Sequence, residues 1–363
     1  MDKLYVIYGS KEIEMTKVVL EAAAIYKNLP KDKSALIALK PNLVLASSYK
    51  NGATTSPYLV EGLILYLKEL GYNNLVIMEG SWIGDRTARA FKVCGYKELS
   101  QKYQVPLIDL QKDSFSSYQV GGTSIDICNK PMEADYLINL PVLKGHCQTK
   151  ITCALKNMKG CIPNTEKRRF HGLGLHRPIA LLNSLLKQDL ILVDGIIGDL
   201  NFEEGGNPVQ MNRVILARDP VLLDSYVAEL LGYDKEEIPY IGLSEDLGVG
   251  RSLKEKNQII ELNRDPSPST IPKTRTIERL ERYIAEDSAC SACYASLIHA
   301  LDRMDGRGTL KPINKDIYIG QGYKDKRLPG LGIGTCTRNF KDYLPGCPPS
   351  ALDIVRFLED RLG

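Results

Sequence analysis

Residues 135–160, DYLINLPVLKGHCQTKITCALKNMKG, decide how the chain is read. Tyr136–Leu140 is an apolar run of the length expected for a buried strand. Pro141 stops that strand, because it has no N–H to give to a ladder. Lys144, His146, Thr149, Lys150 and Thr152 follow within nine residues, and Lys156, Asn157 and Lys159 come next in a helical segment. Cations and hydroxyls crowded just past a strand end are unlike the solvated face of an ordinary helix. Open α/β sheets bind ligands beyond the carboxyl ends of their strands, where helix N-termini offer free N–H groups. The stretch therefore predicts an anion-facing site.

The flanking sequence keeps the same rhythm. Short apolar strands are expected at residues 4–8, 34–39, 75–78, 107–110, 190–193 and 213–217. Helices are expected between them, at 12–26, 57–70, 85–94, 180–186 and 220–231, with Ser56 as N-cap and Pro57 at the first helical position of the second. Residues 118–127 read as a hairpin turning at Gly121-Gly122. Strand–helix alternation of this kind predicts an α/β fold, a mostly parallel sheet with helices on both faces. Residues 161–177, with Lys167, Arg168, Arg169, His171, His176 and Arg177, read as a mobile basic loop. RDPSPSTIPK at 264–273 reads as a linker. The expected division is a ligand-binding domain at 1–263, a linker at 264–274, and a small cysteine-containing α/β domain at 275–363.

At 363 residues, 44% apolar and 25% charged, the composition is that of a soluble globular protein. A net charge of only +3 makes any positive potential local and argues against a nucleic-acid partner. No apolar run approaches a membrane span, and MDKLYVIYGSKEIE has no secretion signal, so a cytoplasmic protein is expected. An odd number of cysteines, nine, bunched in two places, suits metal or redox work in a reducing compartment better than disulfides.

Several residue groups could carry chemistry. Lys144, Lys150 and Lys156 lie where a strand-end site would let their charge act, although lysines there can also be solvated. Asn157 and Gly160 have an alternative explanation as helix-end residues. Three of the four histidines, His146, His171 and His176, fall within about thirty residues. HGLGLH could ligate a metal, but Arg168, Arg169 and Arg177 favour phosphate or carboxylate recognition. Lys40-Pro41-Asn42 and Glu79-Gly80-Ser81 stand at strand ends. Asp194 is expected at the end of its strand, a usual place for a catalytic or metal-binding acid in such sheets. Asp219 is an expected N-cap, Asp224 a candidate general base, and Glu204 an acid in a glycine-rich turn. Cys147, Cys153 and Cys161 fit no common cluster spacing and read as small buried apolar residues. Cys290-x-x-Cys293, Cys336 and Cys347 could hold a [4Fe–4S] cluster or, alternatively, zinc. The wide Cys336–Cys347 gap and the Cys-Pro ending favour the cluster.

LPVLKGHCQTKITCALKNMKGCIP resembles the family catalogued as domain of unknown function 362, which has a similar K-x-H…T-x-x-x-K-N…G run. Lys40-Pro41-Asn42, Glu79-Gly80-Ser81, Val193-Asp194-Gly195, Gly205-Gly206-x-Pro208 and Asp219-Pro220-Val221 with Asp224 are similar to it too, over roughly residues 35–250. Members often carry or adjoin four-cysteine iron–sulfur modules, so the resemblance implies one in the tail. The usual module is a compact ferredoxin, from which the long gap between Cys293 and Cys336 departs. Gly346-Cys347-Pro348-Pro349 is similar to the last cluster ligand of hydrogenase small subunits.

Together these readings predict an oxygen-sensitive iron–sulfur redox enzyme. Lys144, His146, Asp194 and Asp224 would be its catalytic groups. Lys40, Asn42, Glu79, Lys150, Thr152, Lys156, Asn157, His171 and His176 would bind an anionic small molecule. An electron-transfer protein is the expected partner, and a homodimer is a further option. The rival readings are a non-redox racemase or lyase with structural cysteines, and a binding or electron-carrier module without catalysis.

Overall fold

The computed structural model describes residues 3–264, 276–310 and 317–362. Apart from Arg264, the expected linker lies outside them. The chain forms two compact units: Met1–Lys167 with His176–Lys273, and Arg168–Leu175 with Thr274–Gly363. The first unit thus gives up eight residues in its middle to the second.

Among the described residues, twelve strands belong to the first unit: β1 (Leu4–Tyr8), β2 (Ile37–Pro41), β3 (Leu75–Glu79), β4 (Leu107–Asp109), β5 (Phe115–Val120), β6 (Thr123–Cys128), β7 (Tyr136–Leu140), β8 (Lys144–His146), β9 (Lys150–Thr152), β10 (Leu190–Asp199), β11 (Pro208–Ala217) and β12 (Ile259–Glu261). Eight of them make one sheet in the order β12-β1-β11-β10-β7-β2-β3-β4. Only β11 runs against its neighbours. Every residue of β2, β3 and β7 is buried, as expected of parallel strands covered on both faces. Ile37, Leu39, Ile138 and Leu140 join Leu59, Leu63, Val19 and Leu20 of helices Glu12–Ala22 and Pro57–Glu69 in one apolar core. Side chains alternate along a strand, so Lys40 and Asn139, which are register partners, turn to the other face. There Asn139 Nδ2 donates to Ala154 O at 2.9 Å, at the start of the short helix Ala154–Asn157. The polar site thus takes the face opposite this apolar cluster.

Three local expectations are corrected. Residues 161–177 are mostly helical, as Asn164–Gly172 and the start of His176–Leu185. Glu166, Lys167, Phe170 and His171 are buried at helical spacing, which anchors the segment. Asp194 lies inside β10 rather than at its end, because that strand continues through a register shift between Gly195 and Ile197 to Asp199. The basic stretch after β7 is an antiparallel hairpin, β8 with β9, before it becomes helical. The turn at Gly121-Gly122 does join β5 to β6, with φ of 56° and 78° at the two glycines.

The second unit carries four parallel strands in sequence order, β13 (Ile284–Glu286), β14 (Ile317–Ile319), β15 (Leu331–Ile333) and β16 (Asp342–Leu344). Helices Ser291–Gly306 and Ala351–Leu362 belong to it, and Ala295, Ile298, Leu301, Ile354 and Leu358 have no accessible surface.

The β8–β9 hairpin is seated on β10 by backbone contact. A Cβ on Gly198 would stand 2.0 Å from Leu143 O, just before Lys144. Gly198→Ala should cost about 1–3 kcal/mol, read as a lower urea midpoint by the fluorescence of Trp82, the single tryptophan, which lies in the first unit. Gly242→Ala, in the helix Pro239–Asp246 with nothing within 4 Å of the added methyl, should raise stability by about 0.5–1 kcal/mol.

Candidate functional site

Lys144 has no accessible surface, so each N–H of its ammonium needs an acceptor. Nζ donates to Ala53 O at 2.6 Å, to Glu203 O at 2.8 Å and to Asn42 Oδ1 at 3.3 Å. Burial, with a smaller contribution from Lys156, pulls its pKa down to about 8 while Glu203 works to raise it. His146 stands two residues further along β8. Its Nδ1 accepts the backbone N–H groups of Gln148 and Thr149 at 3.0 and 3.1 Å. The proton must therefore sit on Nε2, which donates to Glu203 Oε2 at 2.8 Å. Burial, and then the charge of Lys156, pushes the imidazole down to about 4. His146 is accordingly neutral, with both ring nitrogens engaged.

Glu203 is the hub. Its other oxygen takes Lys156 Nζ at 2.6 Å, and Lys156 also donates to Thr152 Oγ1 at 3.4 Å. Burial alone would raise this carboxyl, but Lys156 and then His146 override it and hold it well below the usual range. A second group adjoins the first through residues 40–43. Lys40 Nζ lies 3.0 Å from Glu79 Oε2, which also accepts Leu43 N–H, while Asn42 reaches Lys144. Lys167 donates to Gly80 O and Ser81 O at 2.9 and 2.8 Å, and burial depresses it to about 8. Asn157 closes the set, donating to Asn139 Oδ1 at 2.6 Å.

Lys40, Asn42, Glu79, Lys144, His146, Thr152, Lys156 and Asn157 are therefore brought together, and other candidates are not. Lys150, at φ 63°, has its ammonium 3.7 Å from Glu237 rather than in the cluster. His171 belongs to the second unit, where its Nε2 accepts Ser291 N–H at 3.4 Å. His176 stacks on Tyr240 with ring centroids 5.8 Å apart, and burial lowers its pKa. Asp194 points to the apolar-core face, accepting Ser56 N–H at 2.7 Å and Ile196 N–H at 3.0 Å. The Ser56 hydroxyl donates to Glu12. Burial raises Asp194 to about 6, and burial followed by the Asp194 charge raises Glu12 to about 7. Asp224, in the helix Pro220–Leu231, caps the helix Ala154–Asn157 by accepting Ala154 and Leu155 N–H at 2.8 and 3.1 Å. Burial pushes it up to about 7.

Sequence reasoning missed two residues. Glu203 was passed over for its neighbour Glu204, and nothing local separates the two acids of NFEEGG. Lys167 was read as part of a loop, although its spacing to Phe170 and His171 marks a buried helical face.

In the second unit the cysteines follow a single rule. Cys290 and Cys293 come after β13, Cys336 after β15, and Cys347 after β16. Those strands are parallel, so all four positions fall on the carboxyl edge of one sheet. Gly334 N–H donates to Leu344 O at 2.8 Å and Thr335 N–H to Gly346 O at 2.9 Å, lacing the Cys336 turn to the Cys347 loop. Burial raises the Cys293 thiol, and the thiols of Cys290, Cys347 and Cys336 raise it further. Among the described residues no three His, Cys, Asp or Glu side chains already stand at metal-holding distances.

An open, mostly parallel sheet with a buried polar cluster past its strand ends makes the first unit an α/β structure. The chain belongs to the family described as domain of unknown function (DUF362), whose model matches residues 37–229, more than half of the chain. It is also similar to a thylakoid-associated protein of Synechocystis sp., at 27% identity over 231 residues, 60% of this chain and 70% of that protein. Among the described residues no helix is long and apolar enough to cross a membrane.

Removing the hub should uncover two buried partners. Glu203→Ala leaves Lys156 and His146 without their carboxylate and should cost about 3–5 kcal/mol, read from the Trp82 urea transition. The acids predict a pH signature. Folded Asp224 holds its proton to about 7 against an ordinary 3.8, so the native state binds more protons than the unfolded chain between those values and loses stability as pH rises through them. Asp224→Asn has no such proton to lose. Its stability relative to the parent chain should climb over that window, by on the order of 4 kcal/mol, and stay level above it, in urea titrations at stepped pH.

Proposed function

We propose that the protein is an iron–sulfur oxidoreductase acting on a small anionic molecule bound in the lysine-rich cluster of the first unit. The observation that carries this reading is the gathering of Cys290, Cys293, Cys336 and Cys347 at the carboxyl edge of the β13–β16 sheet. A [4Fe–4S] cluster held by these thiolates would supply one-electron chemistry, and zinc is the alternative occupant. In the first unit, buried Lys40, Lys144, Lys156 and Lys167 face two carboxylates, Glu79 and Glu203. Asp199 and Glu204 also act on Lys144, and the ammonium groups of this cluster are what a bound anion would engage. Lys144 and Lys167, both lowered to about 8, are poised to give up or take a proton near neutral pH. Asp194 and Asp224, raised by burial, favour holding a proton, Asp194 from the sheet face away from the lysines and Asp224 from the head of the helix Ala154–Asn157. An electron-transfer protein would be the partner. The cytoplasm is the compartment proposed, in keeping with nine free thiols.

The depressed lysines also support a second reading, a racemase or lyase in which they polarise a carbonyl or stabilise a carbanion and the cysteines are structural. Anaerobic purification with iron, sulfide and zinc analysis and an electron paramagnetic resonance spectrum tests the first. A brown protein with about four irons and four sulfides per chain, bleached by Cys347→Ser, is expected. A colourless protein with stoichiometric zinc overturns it. Turnover that survives Cys290→Ser would favour the second reading.

A further inference from the structure

Ala217, the last residue of β11, pairs with Ile191 at the start of β10. The chain after β11 therefore emerges on the sheet edge opposite the one that carries Lys144. There Arg218, Asp219, Glu245, Gly250, Arg251 and Lys254 line a cavity of about 600 Å³, within the range of small-molecule sites. Three of these side chains are cations and two are acids, but the acids are committed to the fold. Asp219 accepts Val221 and Leu222 N–H at the head of the helix Pro220–Leu231, and Arg251 N–H at 2.8 Å. Glu245 accepts Ser252 N–H at 3.2 Å and its hydroxyl at 2.5 Å, and Lys235 stands 3.9 Å away. Lys254 adds to the positive field at Glu245 from beyond ion-pair distance. Among the described residues no carboxylate forms an ion pair with Arg218, Arg251 or Lys254, and all three are exposed. The loop can fold this tightly only because residue 250 is glycine: a Cβ there would lie 2.0 Å from Asp219 Oδ1. That closure is what brings Arg251 to the rim beside Arg218.

We propose that this cavity is a second ligand site, taking a soluble phosphate ester with at least two negative charges. Each guanidinium fork can hold two phosphate oxygens, and Lys254 supplies a third point of charge. The volume admits a group of nucleotide or sugar-phosphate size, and the concave wall suits a free ester better than a headgroup in a flat membrane surface. The site stands apart from the redox reading, since neither its residues nor its sheet edge are shared with it.

Titration calorimetry of the full chain with inorganic pyrophosphate tests the proposal. Saturable binding to one site is expected, weaker at high salt, and reduced by about tenfold per arginine removed in Arg218→Ala and Arg251→Ala. The Trp82 urea midpoint should be unchanged in both. Lys254→Glu, a single exposed substitution, should also weaken binding. The absence of saturable binding, or equal binding by the doubly substituted chain, overturns the proposal. Binding to phosphatidic acid vesicles without binding to pyrophosphate overturns the soluble ligand.

Discussion

A lysine with no accessible surface must spend all its N–H groups inside the protein, and Lys144 imposes that demand on everything around it. Its three acceptors come from three places in the chain, Asn42 after β2, Ala53 before the helix Pro57–Glu69, and Glu203 after β10. Two long loops are drawn onto the β8–β9 hairpin as a result. Glu203 then serves twice, its carbonyl on Lys144 and its carboxylate between His146 and Lys156. Such a network stabilises only when complete, because a partner left alone in the interior costs more than the pair contributes. It is better understood as fixing where the loops go than as adding net stability.

The same topological rule operates in both units. In each, polar or thiol side chains collect beyond the carboxyl ends of parallel strands. In the first unit the two faces of the sheet then divide the charge. Lysines and their glutamates occupy the face of Lys40 and Asn139, while Asp194 and Glu12 share the apolar-core face. The sheet thus keeps the Asp194–Glu12 pair apart from the lysines, while Asp224, also raised by burial, stays on the lysine side at the head of the helix Ala154–Asn157.

Much of this was legible in the sequence because it depends on local pattern. The fully buried strands β2, β3 and β7 read directly as apolar runs, and Ser56-Pro57 and Asp219-Pro220 read as helix starts, which they are. Lys144, His146 and Lys156 could be singled out because cations right after a buried strand are unusual. What failed needed partners distant in sequence. Asp194 looked like a strand end because Gly195 follows it, yet pairing with β11 carries the strand on to Asp199. Asp224 could be singled out as a candidate base, but the sequence did not show that it caps a helix seventy residues earlier in the chain. Composition hid the helix Asn164–Gly172, since a single buried stripe of Lys167, Phe170 and His171 is diluted by exposed charge.

The eight residues Arg168–Leu175 sit inside the family-matched span of 37–229, yet they belong to the unit that bears the cysteines. Phe170 is fully enclosed there, and His171 takes the Ser291 amide beside Cys290. The polypeptide therefore crosses from one unit to the other after Lys167, after Leu175 and after Lys273. No single cut separates two self-sufficient pieces. The family-matched span therefore does not stop short of the second unit: it supplies eight of that unit's residues.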